Sequence, residues 1–577
     1  MSSKLLVVVL LAGSAFLSAQ PAAKPDPQPA AKPDPLIQIL AEELDRNFAS
    51  LKAKADPVPY FISYTVVESR VQSLSANAGA LTTDNAGHQR ALDVSVRVGS
   101  PKLDNYRRIR GDWPQFASPG LLTIEDQGPA IRRRIWLDTD RTYRAAAQRF
   151  LRLKTDEQTK AAATTETADD FSAEESVKFD RVDAPLNFNT KEWAQRVRKL
   201  SARFLNYPKV LTSNVSISVA NETRTIVNTE GTRIRQGHNS INVFVVARAK
   251  AADGMDLVIS ESFQARDFSR LASEKEMEAA IDKAGTELTA MLKAPVVDPF
   301  VGPAILSGRA SGVFFHEIFG HRIEGHRQKD DAEGQTFTKS IDKAVLPDFL
   351  SVVFDPEREA VGRIDLNGHY TYDDEGVKGR KITLVENGIL KTFLLSRSPV
   401  PGFAKSNGHG RKQLGGEASS RQSNLIVEST KSVSEEKLRD LLRDELKKQN
   451  KPYGLYFREV TGGYTTTGRR GLQAYTVIPL VVFRVYADGR PDEMVRGADI
   501  VGTPLTSFSK ILATSDKVDV FNGICGAESG SVPVSAISPS ILISEIEVQK
   551  KEQSRDRPPL LSPPNPGTSG IAAGGAR

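Results

Sequence analysis

Cysteine is almost absent: Cys525 is the only one in 577 residues. No internal disulfide can form, so packing, hydrogen bonding or a bound group must hold the chain together. Long apolar runs are also scarce. Residues 5–17 are almost wholly apolar, but that run is shorter than the ~18 residues a membrane span requires. No later stretch is long enough, so no stable membrane span is expected. A strong charge of one sign is missing too. The 77 Lys and Arg stand against 71 Asp and Glu, leaving a net +6 spread along the chain. No basic run is interleaved with aromatics, so no nucleic-acid partner is expected. The glycine-rich stretches at 461–471 and 523–530 lack the GxxxxGK[ST] pattern, and are expected to be turns rather than phosphate cradles.

What is present begins at the N-terminus. A short basic start, the apolar run and Ser18-Ala19-Gln20 have the layout of a secretory signal peptide, 1–19. The expected location is therefore periplasmic or secreted. Residues 20–35 repeat QPAAKPDP twice, the composition of an extended, solvated linker.

The remaining length is too great for one ordinary core, and the pattern predicts an α+β fold in two parts. Residues 36–293 form an N-terminal α+β domain. A helix begins near Leu36, strands begin at Tyr60 and Ala91, and a helix covers 141–153. Residues 155–180, rich in Thr, Ala, Asp and Glu, are expected to be a mobile insert. Alternating segments over 209–263 predict an antiparallel meander, and a long helix covers about 273–293. Residues 294–551 form a β-rich C-terminal domain with a helix after the N-cap candidate Ser434. Residues 552–577 are Pro-, Gly- and Ser-rich and are expected to be a disordered tail.

Three of the seven histidines fall in SGVFFHEIFGHRIEGH, residues 311–326. His316, Glu317 and His321 make HExxxH, one residue longer than the zincin HExxH. Neutral imidazoles ligate zinc well, and a carboxylate beside the first can take a proton from water. On a regular helix, residues five apart point roughly 140° away from each other, against about 40° for four apart. Sharing one metal therefore needs a helix that is locally widened or broken. Gly320 is where that costs least, and a π-type bulge is one candidate. The other reading is a pair of helix-surface histidines. Cys525, in NGICG near the far end, is either a small buried hydrophobe or a thiolate ligand. A bound metal would account for a lone thiol outside the cytoplasm.

With these motifs in order, the chain resembles the TldD/PmbA (TldE) family of metallopeptidases. The resemblance rests on FFHEIFGHRIEGH, on YDDEG from Tyr372, and on LVENGILKTFL from Leu384. It continues through SSRQSNLIVE around Arg421 and Asn424, GGYTTTGRRGLQAY from Gly462, and NGICG…GSVPV. RTIVNTEGTRI in the first half agrees more loosely. The resemblance implies a Zn2+ site held by His316, His321 and Cys525, with Glu317 as the catalytic base. It implies unfolded or extended peptide substrates. It also implies a homodimer, or a heterodimer with a metal-free TldE/PmbA-like paralogue. The alternative is a non-hydrolytic metal-binding or peptide-holding subunit. The complete HExxxH favours the active type, and the export signal departs from the cytoplasmic members of the family.

Four further expectations concern neighbouring residues. His326 stands where the family often has an acidic residue; it either supports a ligand residue or, as favoured, is a solvated helix-end histidine. Tyr372, Asp373, Asp374 and Glu375 either line the cleft and orient a ligand, or form a polar turn. Arg421 binds a substrate carboxylate or backbone carbonyl, or makes a structural ion pair. Cys525, flanked by Gly523 and Gly526, is expected in a loop.

Overall fold

The computed structural model describes residues 34–108, 119–159, 168–471, 473–503, 507–551 and 556–561. The expected signal peptide, nearly all of the repeat linker and most of the tail lie outside these residues. Among the described residues, no helix is long and apolar enough to cross a membrane.

The first half is built on a long antiparallel meander. Helix α1 (Pro35–Lys54) starts at the Asp34 cap, whose carboxylate accepts from the Leu36 N–H. Strands β1 (Pro59–Asn77) and β2 (Ala80–Ser100) form a hairpin. Helix α2 (Gly128–Thr159) and helix α3 (Thr190–Ala202) follow. Then come β3 (Thr212–Asn228), β4 (Arg233–Lys250), β5 (Asp256–Ala265) and helix α4 (Glu274–Met291). The long strands lie in the order β2-β1-β3-β4-β5, each neighbour antiparallel. Helices α1 and α2 bury Leu40, Leu44, Ile131 and Ile135 against Ile62, Tyr64 and Val96. Helices α3 and α4 bury Val197, Ile281 and Leu288 against Ile217, Val243 and Val245. Alternation along the strands places these residues on covered faces, as the period of two requires.

Two expectations need correction here. The helix expected over 141–153 runs from 128 to 159. Its first turns carry RRR, whose polarity hides the Ile131/Ile135 stripe. The insert expected to be mobile over 155–180 is anchored where it is described. Asp170, Phe171 and Ser172 are all buried. The Phe171 ring lies 3.9 Å from each of the Arg97 and Arg397 guanidinium carbons. The Ser172 N–H donates to the Arg397 carbonyl, and the Arg397 guanidinium donates back to the Ser172 carbonyl at 2.6 Å. Composition registers solvation, not the hold of a single aromatic between two cations.

The second half centres on a twelve-stranded mixed sheet. Its principal elements are β6 (Phe300–Leu306), helix α5 (Gly308–Ile318), a 3₁₀ turn (Gly320–Arg322) and helix α6 (His326–Lys329). Next are β7 (Leu350–Phe354), β8 (Asn424–Ser429) and helix α7 (Glu435–Lys448), which begins at the expected Ser434 cap. They are followed by β9 (Tyr453–Thr465), β10 (Tyr475–Tyr486), β11 (Ala498–Gly502), β12 (Ile511–Ala527) and β13 (Gly530–Lys550). Strands β13, β11, β10, β9 and β6 pair in sequence, and β6 pairs back to β13, so this part of the sheet closes on itself. Helix α5 packs against β9, β10, β12 and β13. Nearly every one of its residues is buried, and Phe314 meets the rings of Phe315, Tyr475 and Phe508.

Phe314→Ala should therefore destabilise this half by about 3–5 kcal/mol. The check is the midpoint of urea unfolding followed by circular dichroism; an unchanged midpoint would contradict the packing described.

Candidate metal site

The site begins with the way helix α5 stops. Ser307 caps its start, accepting the Ala310 N–H at 3.2 Å. The α-helix ends at Ile318, and residues 320–322 tighten into the 3₁₀ turn. This break, not a π-bulge, solves the five-residue spacing. The rings of His316 and His321 end up 5.0 Å apart at 81° to each other. The helix's last carbonyls are held rather than left orphaned. Arg322, fully buried, donates to the carbonyls of Glu317 (3.1 Å) and Ile318 (3.2 Å), to Thr465 Oγ1 (2.9 Å) and to the Thr466 carbonyl (3.0 Å). Gln422 Nε2 donates to the His316 carbonyl at 3.2 Å. Gly320 matters through close approach: a Cβ there would fall 2.0 Å from Gln422 Oε1, and Gln422 is itself fully buried.

Cys525 arrives from the far end of the chain. It lies within β12, paired with Val532 of β13, and not in a loop as expected. The turn comes later, at Glu528 and Ser529. Arg421 fixes this strand. It is completely buried and donates to the Cys525 carbonyl (2.8 Å), the Gly530 carbonyl (2.9 Å) and Ser529 Oγ (2.7 Å). Of the two roles considered for Arg421, the structural one is observed.

The donor atoms of His316, His321 and Cys525 all lie within 4.8 Å of one another. Cys525 Sγ is 3.4 Å from His321 Nε2. A tetrahedral zinc with Zn–S near 2.3 Å and Zn–N near 2.0–2.1 Å requires an S···N separation of about 3.5 Å. One thiolate with two imidazoles is also a donor set suited to zinc. The residues fit the metal. Burial opposes ionisation of the Cys525 thiol, but His321 and His316 outweigh it and hold its pKa well below the ordinary value. The site therefore favours the thiolate that metal binding needs.

Glu317 adjoins this centre, with Oε2 3.9 Å from His321 Nε2. Burial raises its pKa, partly offset by His316 and His321. A Cβ on Gly463 would lie 2.7 Å from Glu317 Cγ, so this glycine lets β9 pass directly beside the carboxylate. Gly462 and Gly463 are thus strand residues, which corrects the turn expected there. His316, Glu317, His321 and Cys525 open into one cleft of about 510 Å³. Its walls include Thr461–Thr465 of β9 on one side and Phe521–Ala527 of β12 on the other. Charged Arg327, Glu333 and Glu528 also line it.

The carboxylate beside the candidate ligand His321 is Glu324, which the sequence pattern did not single out. Its Oε2 lies 3.4 Å from His321 Nδ1, and the residue is completely buried. Burial would raise its pKa, but His321 and Arg327 outweigh that and pull it down to about 2. The available signal was spacing: Glu324 is three residues after His321, in RIEGH. The carboxylates considered for orienting a ligand lie elsewhere. Asp373 accepts the N–H groups of Glu375, Val377 and Gly410. Asp374 pairs with Arg224 of β3, and Glu375 accepts the Arg397 N–H at 2.7 Å. This segment fastens the two halves together and does not line the cleft. His326, expected in solvent, has its side chain packed against Glu528, because α6 turns it toward the end of the β12–β13 hairpin.

Gly320→Ala should weaken zinc binding by about 10–100-fold, the effect typical of disturbing a ligand's immediate support. Competition against a chromophoric chelator measures it; unchanged affinity would show that the close approach to Gln422 does not position His321.

Comparison with known proteins finds relatives of both halves of the chain. A family profile described as the PmbA/TldA metallopeptidase C-terminal domain matches residues 301–550, and one described as the central domain matches 183–292. A metalloprotease of Methanocaldococcus jannaschii is 29% identical over 233 residues, covering 40% of this chain and 47% of that protein. The chain thus spans about half the length of that relative. A "Metalloprotease TldD homolog" of Buchnera aphidicola subsp. Acyrthosiphon pisum is 25% identical over 467 residues, covering 77% of this chain and 89% of its own. Among solved structures, TldE from Thermococcus kodakarensis shares the fold with a TM-score of 0.59 at 14% identity, covering 89% of this chain and 100% of that one. The chain belongs to the PmbA/TldD metallopeptidase family.

Proposed function

We propose that this protein is an exported zinc peptidase that hydrolyses unfolded or extended peptides. In this reading His316, His321 and Cys525 hold the metal and Glu317 is the general base. One observation carries it: two nitrogens and a sulfur within 4.8 Å of one another, open to a cleft that Glu317 also lines. Zinc at these donors would supply a Lewis acid that polarises the scissile carbonyl and lowers the pKa of water. Glu317 takes the proton of the attacking water and passes it to the leaving amine. Its burial raises its proton affinity and suits it to that exchange. Glu324 keeps His321 oriented through Nδ1.

Substrate recognition follows from the cleft walls. Among the described residues, no strand pairs with the outer edge of 461–465 or of 521–527. An extended peptide can add to such an edge by main-chain hydrogen bonds, which select for extended backbone over side-chain identity. Tyr464 and Ile524 stand exposed on these two edges. For assembly, this reading keeps the homodimer, or the heterodimer with a metal-free paralogue, that the family resemblance implies. Export rests on the sequence of residues 1–19.

Glu317→Gln should keep its zinc and lose about 10²–10⁴-fold in turnover of an unfolded test peptide. Wild-type turnover in this variant would remove Glu317 from the role of base. Cys525→Ser should lower tightly held zinc, read by mass spectrometry after dialysis; retention would take Cys525 out of the ligand set. Test peptides N-methylated at one amide at a time should lose turnover in an alternating pattern, because alternate amides face the strand edge. Uniform insensitivity would exclude edge pairing.

A further inference from the structure

A second group of donors lies just beyond the first. Glu324, His326 and Glu528 each present one ligand atom, and these three atoms lie within 4.8 Å of one another. They come from separate places: Glu324 follows the 3₁₀ turn, His326 opens α6, and Glu528 ends the β12–β13 hairpin. None belongs to the ligand set proposed above.

The hydrogen bonding around them is incomplete. The His326 side chain is only 10% exposed; its Nε2 faces Glu528 Oε1, and its Nδ1 has no hydrogen-bond partner. Glu324 Oε1 is also buried without a hydrogen bond. A buried imidazole and a buried carboxylate oxygen left in this way cost free energy unless something completes them. Arg327 bridges the two carboxylates. Its Nε donates to Glu324 Oε2 at 2.8 Å and its Nη2 to Glu528 Oε2 at 2.9 Å. Arg327 thus engages one oxygen of each carboxylate; the other faces Arg421 Nε in Glu324 and His326 Nε2 in Glu528, contacts that a bound cation would replace. A carboxylate shared between a cation and a hydrogen-bond donor is the usual support around a metal. Two guanidiniums oppose the site: that of Arg327, and that of Arg421, whose Nε is 3.5 Å from Glu324 Oε1. They set it below the thiolate centre in affinity.

We infer that Glu324, His326 and Glu528 form a second, weaker divalent-cation site that takes zinc through one imidazole nitrogen and two carboxylate oxygens. This donor set is within the range zinc accepts.

Equilibrium dialysis of the full chain against zinc alone, with bound metal counted by mass spectrometry, tests it. The wild type should show a tight and a weaker class, reaching about two zinc ions per chain. His326→Ala should lose the weaker class and keep the tight one. Glu528→Gln, at the rim of the cleft, should do the same and guards against a folding defect in the first variant. Saturation of the wild type at about one ion per chain, or a weaker class that survives in both variants, overturns the inference. Cys525→Ser separates the two sites: it should lose the tight class and keep the weaker one. A tight class that survived Cys525→Ser, with the weaker class still dependent on His326, would count against the ligand set proposed earlier and in favour of this second site.

Discussion

Everything at the site depends on helix α5 ending after Ile318. Had the helix continued, its own geometry would have turned His321 away from His316. The 3₁₀ turn reverses that, and the structure secures the turn from three sides. Arg322 satisfies the last carbonyls of the helix, Gln422 holds the carbonyl of His316, and the missing side chain at Gly320 lets Gln422 approach. These groups are buried, so each hydrogen bond is expensive to break. A loop could not hold the two rings with comparable rigidity.

Charge is handled in the same way. Arg322, Arg327 and Arg421 are all buried; Arg322 ties the segment 316–328 to Thr465, Arg327 ties it to Glu528, and Arg421 lies between Glu324 and the Cys525 carbonyl. Arg327 alone joins Glu324, Glu333 and Glu528. Buried ion pairs of this kind add little net stability relative to apolar packing, but breaking one leaves a charge stranded. Their value here is positional. The same device recurs between the halves, where Arg397 engages Ser172, Glu230 and Glu375 and stacks on Phe171.

The α+β class, the first antiparallel meander and the grouping of His316, Glu317, His321 and Cys525 around one cleft were legible in the sequence. Long strands announce themselves by alternation, and candidate metal ligands by type and spacing. What surrounds them was less legible, for identifiable reasons. Glu324 adjoins His321, and its three-residue spacing from that histidine is a weak signal until the fold turns it inward. Arg421 and Gln422 act on elements about 100 residues away. Gly463 looked like a turn residue because glycine usually marks one, whereas here it makes room for a carboxylate. His326 read as solvated because nothing local shows that Glu528 closes over it. Phe171 pins a segment whose average composition is that of a mobile one.

The closed run of strands in the second half has a bearing on when the protein can become active. Strand β13 completes that closure, and its hairpin partner β12 delivers Cys525 to histidines that entered the chain some 200 residues earlier. On the proposed ligand set, a nascent or truncated polypeptide ending before this hairpin has imidazoles but no thiolate, and its future cleft has only one wall. Maturation of the centre is thereby tied to completion of the chain, so that a partly synthesised copy has no means of cutting its neighbours.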